Sequence, residues 1–230
     1  LKWGNWAVAK LTEVLFNAVY LSDVGCTYRV LTRDAIDRLR PEFRSTGSAF
    51  GYEMMLLTVE QRLPLLREAF EAHRDEQYEG RIGQLAEHDR SVKKSTDLVV
   101  SGKPHWKDID QALFRSIGRA IVEFRERFPY FKGRFKDMGY AIQRTNPGEH
   151  YHWHIDGGSH EFSQRQLVAV WYLNDVLGPG GETEFLFQNL KVKPEQGKLL
   201  LFPPFWTHEH RGVTLQQGVK YIATTWVVFA

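Results

Sequence analysis

The chain has 230 residues, of which 43% are hydrophobic and 13% aromatic, enough to bury the core of one domain with a smaller appendage. Its 30 basic and 28 acidic residues give a net charge of +2, so charge gives no reason to expect a nucleic-acid or membrane partner. The single cysteine, Cys26, excludes an intrachain disulfide and favours a cytoplasmic location, and the apolar stretch 14–21 is too short to span a bilayer.

The first 60 residues differ in character from the rest of the chain. Residues 23–39, DVGCTYRVLTRDAIDRL, and residues 50–55, FGYEMM, resemble the C-terminal part of family 2 glycosyltransferases of the polyprenyl-phosphate mannosyltransferase kind. The nucleotide-binding half of that family, with its Asp-x-Asp motif, is absent, so we expect no glycosyl transfer. Two interpretations stay open: a glycosyltransferase-like remnant of a larger fusion, or a small, mostly helical cap on the following domain.

Helical spacing dominates the next part of the chain. Apolar residues recur every three or four positions from Ile109 to Phe124, which predicts an amphipathic helix that starts near Asp108 and closes at Pro129. A second helix is predicted over residues 65–74. Residues 75–107 are polar and predict a loop with one strand near residues 98–100.

The pattern changes near Lys136 to short β-runs separated by turn residues. The predicted strands are residues 139–144, 166–173, 183–188, 198–202 and 219–229. Many short strands at this spacing are typical of a sandwich or a jelly roll, with the helices packed on the outside of one sheet.

The segment 151–158, YHWHIDGG, holds the densest cluster of metal-ligand residue types. Alternate residues of an extended segment share a face, so His152, His154 and Asp156 could lie together. Two of them and a distant histidine would form a two-histidine, one-carboxylate facial triad, which leaves three positions open on ferrous iron. Zinc uses the same ligand types, so the triad alone does not identify the metal.

The distant histidine must come from residues 206–211, WTHEHR, where His208 and His210 are both candidates. Lys220 lies ten residues after His210 and begins an apolar strand that could place it inside a barrel. A buried lysine needs an anionic partner, and the distal carboxylate of 2-oxoglutarate would be one.

This order of motifs resembles the 2-oxoglutarate- and iron(II)-dependent oxygenases, in particular their prolyl 4-hydroxylase-like branch. The similarity continues between the ligands, in RQLVAVWYLN at residues 165–174, in the GGxTxF turn at 180–185 and in KPxxGxLLLFP at 193–203. The resemblance covers residues 61–230 and implies an α+β fold, a double-stranded β-helix (a cupin-like jelly roll) with its core at residues 138–230 and flanking helices.

The resemblance also implies a role for individual residues. It assigns iron to His154, Asp156 and His210. It assigns the 2-oxoglutarate pocket to Lys220, which would bind the distal carboxylate, and to Tyr172, Trp226 and Thr183.

The function implied is that of a dioxygenase, which uses Fe(II), O2 and 2-oxoglutarate to hydroxylate a small-molecule or peptidyl substrate and releases succinate and CO2. Ascorbate would keep the iron reduced. Two alternatives stay open: a non-catalytic cupin-like domain that binds or senses a ligand, and an accessory domain of a glycosyltransferase fusion. Neither the substrate nor the oligomeric state can be predicted from the sequence.

Overall fold

The structure, a computed structural model, describes residues 62–83 and 87–230. The chain divides into two units, Leu1–Leu65 and Leu66–Ala230, and nearly all of the described residues belong to the second. The helical cap or glycosyltransferase-like remnant proposed for residues 1–60 lies outside the described residues. That assignment and the boundary at residue 60 therefore stay predictions.

The described residues contain two α-helices, α1 (Arg62–Ala72) and α2 (Lys107–Arg127). The predicted stripe of α2 is confirmed, because Leu113 and Ile117 are buried. The indole N–H of Trp171 donates to Ser116 Oγ of α2 at 2.9 Å, which places this helix against a strand of the larger sheet. Within the described part of the chain, neither helix has the length and apolarity needed to cross a membrane.

The strands are short, and most belong to the second half of the chain. They are β1 (Tyr78–Glu79), β2 (Lys93–Lys94), β3 (Thr96–Val99), β4 (Phe135–Asp137), β5 (Ala141–Thr145), β6 (His150–His154), β7 (Arg165–Tyr172), β8 (Thr183–Phe185), β9 (Leu190–Val192), β10 (Leu199–Phe202), β11 (His210–Gly212) and β12 (Lys220–Phe229).

The strands form two antiparallel sheets. The larger has the order β1-β3-β5-β12-β7-β10, with β4 also paired to β12, and the smaller has the order β2-β6-β11-β8-β9. From β5 to β12 the chain changes sheet after every strand except between β8 and β9, which pair with each other. The resulting four-strand sets β5-β12-β7-β10 and β6-β11-β8-β9 have the connectivity of a double-stranded β-helix. The predicted fold class is therefore confirmed.

The core lies between the two sheets. Val168, Val170 and Tyr172 of β7 pack there with Phe185 of β8 and Phe202 of β10. Alternate residues of β7 point to opposite faces, so Trp171 faces α2 while its neighbours face the core. Because β7 is covered on both faces, its burial is almost continuous, and the period-2 signal is weak in its sequence.

Several strands escaped prediction. Residues 75–107 contain three short strands instead of one, and β4, β9 and β11 were not expected, while the region of β6 was treated as extended without being named a strand. β6 and β11 are rich in polar residues and lack apolar alternation, because some of their side chains form a site and others face solvent. The strand predicted over residues 183–188 ends at Phe185, and the turn after it carries Asn189 at a φ of 48°.

Candidate metal centre

Two neighbouring strands of the smaller sheet bring His154 and His210 together. His154 is the last residue of β6, His210 is the first residue of β11, and the two are direct partners in the antiparallel register. Side chains at directly opposed positions are close neighbours. The two imidazole rings accordingly lie 4.2 Å apart between centroids. The pairing of β6 with β11 thus joins histidines that are far apart in the sequence.

A β-bulge sets which residues of β6 face the interior. His210 opposes His154, but Gly212 opposes Tyr151, so β6 has one more residue than β11 between these pairs. A bulge breaks the alternation of side chains. Tyr151 and His154 consequently stack at 3.6 Å between ring centroids, while His152 is exposed. His152, which simple alternation placed with the ligands, does not join them.

The backbone just after β6 positions the carboxylate of Asp156. The N–H groups of Asp156 and Gly157 both donate to the carbonyl of Pro204, at 3.1 and 2.7 Å. A Cβ on Gly157 would lie 3.0 Å from that same carbonyl oxygen, so this close approach favours glycine. Asp156 Oδ2 lies 3.2 Å from His210 Nε2 and 4.0 Å from His154 Nε2. One donor atom from each of the three residues thus lies within 4.8 Å of the other two.

Backbone carbonyls determine which nitrogen of each histidine can bind a metal. His154 Nδ1 lies 2.7 Å from the carbonyl of His152, and His210 Nδ1 lies 2.9 Å from the carbonyl of His208. A carbonyl only accepts, so Nδ1 carries the proton in both rings and Nε2 keeps its lone pair. Hydrogen bonds of this kind fix the tautomer and ring orientation of metal-binding histidines.

The other oxygen of Asp156 is held from the larger sheet. The indole N–H of Trp226 donates to Asp156 Oδ1 at 3.0 Å, which leaves Oδ2 directed at the histidines. The guanidinium of Arg165 lies 3.9 Å from the Trp226 ring and donates to the Asp156 carbonyl at 2.8 Å. Trp226, predicted for the cosubstrate pocket, therefore contacts a predicted metal ligand directly.

Burial and the neighbouring charges favour a metal-ready protonation state. Burial, followed by the nearby His210, lowers the pKa of His154 to about 4, so its imidazole is neutral at neutral pH. Burial alone would raise the pKa of Asp156. The contacts of Asp156 with the His210 and His154 rings and the hydrogen bond from Trp226 outweigh burial and hold that pKa below its usual value. The site therefore presents the neutral imidazole of His154 and one carboxylate beside Nε2 of His210.

His208 is placed differently from His210. Its Nδ1 lies 3.0 Å from Thr207 Oγ1, and its ring is not part of the cluster of donor atoms. Its backbone carbonyl instead orients His210. Of the two histidines in this segment, the geometry favours His210 as the ligand.

A cavity of about 540 Å³ opens beside the three donor atoms and extends between the sheets. Lys220 lies on its wall and is only 5% exposed, and its ammonium donates to the Gly181 carbonyl at 3.0 Å. Burial lowers the pKa of Lys220 to about 8, against a raising effect of Glu182. Within the described residues, this ammonium forms no ion pair, so an anion in the cavity would find a desolvated cation.

Thr183 and Tyr172 form a hydrogen-bonded pair near Lys220. The Tyr172 hydroxyl donates to Thr183 Oγ1 at 2.6 Å, and burial raises the pKa of Tyr172 to about 12. Thr183 and Lys220 line the cavity, whereas Tyr172 is fully buried and is not among the lining residues. Because Thr183 Oγ1 accepts from Tyr172, its own proton is available to a ligand in the cavity.

Two contacts at or beside the cavity were not predicted from the sequence. One is the stacking of the Arg165 guanidinium on Trp226, a residue of the cavity wall. The other is a buried ion pair on the cavity wall, in which Lys93 Nζ lies 2.7 Å from Asp97 Oδ2. Lys93 and Asp97 lie on β2 and β3, in a stretch predicted to be mostly loop, so nothing in the local pattern indicated burial.

Part of the chain is similar in sequence to known proteins. The sequence model of the 2OG-Fe(II) oxygenase superfamily matches residues 140–228. The chain is 26% identical to the Homo sapiens transmembrane prolyl 4-hydroxylase over 194 residues, which covers 58% of this chain and 38% of that protein. The Mus musculus protein of the same name is 28% identical over 144 residues, covering 37% and 28%. The chain thus spans less than two fifths of either relative.

Solved structures share the fold. A prolyl hydroxylase from Trichoplax adhaerens, in complex with a peptide fragment of the hypoxia inducible factor oxygen degradation domain, superposes with a TM-score of 0.59 at 16% identity. That match covers 74% of this chain and 76% of the other. A Pseudomonas putida prolyl-4-hydroxylase gives 0.55 at 18% identity, with coverage of 74% and 87%. At identities this low, the similarity shows the fold alone.

Proposed function

We propose that this chain, which matches the sequence model of the 2OG-Fe(II) oxygenase superfamily over residues 140–228, is an iron(II)- and 2-oxoglutarate-dependent hydroxylase. One observation carries the proposal. The Nε2 atoms of His154 and His210 keep their lone pairs and lie near Oδ2 of Asp156, on the wall of a cavity that also holds a buried lysine.

The donor set fits ferrous iron. Two neutral imidazoles and one carboxylate on one side of a metal form the facial triad of non-haem iron oxygenases, which leaves positions for further ligands. Trp226 holds the second oxygen of Asp156, which supports binding of the metal through Oδ2. The role of His154, Asp156 and His210 as iron ligands is supported by this geometry and by the family match.

Another part of the cavity lining fits the distal carboxylate of 2-oxoglutarate. Lys220 offers a buried ammonium and Thr183 a hydroxyl proton, and a charge-assisted hydrogen bond is strong in such a desolvated place. We assign Lys220 and Thr183 to direct contact with this carboxylate. Tyr172 would act through Thr183, which it holds in place.

Iron and 2-oxoglutarate, once bound, would supply the oxidising power that lets O2 hydroxylate a C–H bond, with succinate and CO2 as coproducts. The chain contributes orientation and a dry site. Two backbone carbonyls keep the histidine rings in position, and Trp226 keeps the carboxylate in position. Val168, Val170 and Ile222 line the cavity with apolar surface, which keeps water from the reacting groups.

Peptidyl proline is the substrate class that we propose. The curated relatives are named prolyl 4-hydroxylases, and the Trichoplax enzyme was solved with a peptide. The cavity has apolar surface for a pyrrolidine ring, to which Val99 and Met138 contribute. A small-molecule substrate is the alternative outcome of the test below. The cytoplasmic location stays a prediction.

The test is turnover of 2-oxoglutarate to succinate by the full chain with Fe(II), O2 and ascorbate, measured with proline-containing peptides and with small molecules. We expect peptide-dependent succinate formation above the uncoupled background, and its loss in His154→Ala. His208→Ala is the matched control, since it removes an imidazole near the site but no predicted ligand. A non-catalytic cupin-like domain would bind the metal yet yield no succinate above background with any substrate.

A further inference from the structure

A second group of metal-ligand side chains lies outside the site described above. His73 follows α1, Glu76 is three residues further on, and His105 lies just before α2. One donor atom from each falls within 4.8 Å of the others. We propose that His73, Glu76 and His105 form a second metal site, which takes a divalent cation of the zinc type.

The ring of His73 is oriented for binding. Its Nδ1 lies 2.8 Å from the carbonyl of Ala69 in the last turn of α1. Because a carbonyl only accepts, Nδ1 carries the proton and Nε2 keeps its lone pair. The rings of His73 and His105 stack at 5.2 Å between centroids, with an angle of 20° between their planes. The two imidazoles are therefore already adjacent, and binding of an ion would need no large rearrangement.

Glu76 is held in place through its carboxylate oxygen Oε2. The indole N–H of Trp106, a buried residue, donates to Glu76 Oε2 at 3.1 Å, and the ammonium of Lys103 contacts the same oxygen. The other oxygen, Oε1, lies 2.6 Å from His105 Nε2. The arrangement repeats that of the first site, where Trp226 holds one oxygen of Asp156 and an imidazole faces the other.

The donor chemistry selects the class of ion. Two imidazoles and a carboxylate suit zinc and its neighbours in the first transition series better than magnesium or calcium, which prefer oxygen ligands. The ion would replace the hydrogen bond between His105 Nε2 and Glu76 Oε1. Lys103 neutralises part of the carboxylate charge and His105 is exposed. We therefore expect weaker binding than at the first site, with water completing the coordination.

An ion at this place would connect the two ends of a long segment. His73 and His105 flank the stretch that carries β1, β2 and β3, and Tyr78 of β1 and Asp97 of β3 line the large cavity. A metal that ties the ends of a loop together reduces the freedom of the unfolded chain. Binding would thus stabilise the segment that forms one wall of the cavity.

The experiment is equilibrium dialysis of the full chain against Zn²⁺, with the bound metal counted per chain. We expect two zinc ions in the wild type, one in His105→Ala, one in His154→Ala, and none in the double variant. His88→Ala is the matched control, because His88 is an exposed histidine outside both groups, and it should keep two. If only the first site fails, the wild type and His154→Ala bind one ion each and His105→Ala binds none, so the two proposals are separable.

Thermal unfolding gives a second readout in the His154→Ala background, where only the proposed site remains. Saturating Zn²⁺ should raise its melting temperature by about 3 °C or more, and this rise should vanish when His105→Ala or Glu76→Gln is added. If His105→Ala and Glu76→Gln both bind as many zinc ions as the wild type, the proposal is wrong. Circular dichroism identifies a variant that fails to fold, and His73→Ala then replaces it.

Discussion

The indole N–H of Trp226 donates to Oδ1 of Asp156 at 3.0 Å, across the gap between the two sheets. The bond joins β12 of the larger sheet to the loop after β6 of the smaller one. It leaves Oδ2 as the carboxylate oxygen that faces the two histidines. Since the guanidinium of Arg165 lies 3.9 Å from the same indole, the ring itself is also held in place.

Trp226→Phe should lower iron affinity without removing the site. Phenylalanine keeps a ring beside Arg165 but cannot donate to Asp156, and loss of such a supporting bond costs about tenfold or more in metal affinity. The measurement is the dissociation constant for Fe(II) under anaerobic conditions. Trp153→Phe is the control, because Trp153 contacts Arg211 and is outside the metal cluster. Equal affinities in both variants would show that the Trp226 bond does not orient Asp156.

Lys220→Ala should weaken 2-oxoglutarate binding by about 30-fold or more, as expected when one partner of a buried charge pair is removed. Burial lowers the pKa of Lys220 to about 8, so the ammonium loses its proton as the pH rises through that value. The dissociation constant of the wild type should therefore rise above pH 8, by about tenfold per unit.

Lys220→Arg tests that pH dependence, because a guanidinium stays charged throughout the range. Calorimetric titration of 2-oxoglutarate into the metal-loaded variant should give the same constant at pH 7 and pH 9. Were the wild type equally insensitive to pH, Lys220 would not be the group that binds the distal carboxylate.

His210→Ala and His208→Ala should differ sharply. His210 Nε2 lies 3.2 Å from Asp156 Oδ2, whereas the ring of His208 is outside the cluster. We expect His210→Ala to lose stoichiometric Fe(II) binding and His208→Ala to retain it, as measured by metal analysis after dialysis. The opposite result would shift the ligand by two residues and would also undo the ten-residue spacing to Lys220.

Thr183→Val should weaken 2-oxoglutarate binding more than Tyr172→Phe does. Thr183 lines the cavity and has a proton to donate, while the Tyr172 hydroxyl is used on Thr183 itself. Tyr172→Phe should mainly cost stability, by about 1 kcal/mol for one buried hydrogen bond. Calorimetry and chemical denaturation of both variants make the comparison. A larger binding defect in Tyr172→Phe would mean that the tyrosine contacts the ligand directly.

Much of the candidate site could be predicted because its parts are local in sequence. His154 and Asp156 belong to one short motif. Lys220 follows His210 by ten residues, and one loop connects β11, which begins at His210, to β12, which begins at Lys220. The contacts that tune the site are not local. Trp226 and Asp156 are far apart along the chain, and only the stacking of the sheets brings them together.

The bulge in β6 shows a second limit. Strict alternation puts His152 and His154 on one face, yet the extra residue in β6 leaves His152 exposed and turns Tyr151 toward the cavity. No residue of the HYHWH segment indicates a bulge, because the bulge depends on the register between β6 and β11. β11 was not predicted for the same reason, because this three-residue strand has no apolar run and forms by pairing with β6 and β8.

The most direct test of the central claim is a structure of the full chain, crystallised anaerobically with Fe(II) and 2-oxoglutarate. We expect one iron bonded to His154 Nε2, His210 Nε2 and Asp156, with the distal carboxylate of 2-oxoglutarate at the ammonium of Lys220. Iron bound through His208 or His152, or a 2-oxoglutarate that leaves Lys220 without contact, would contradict the account.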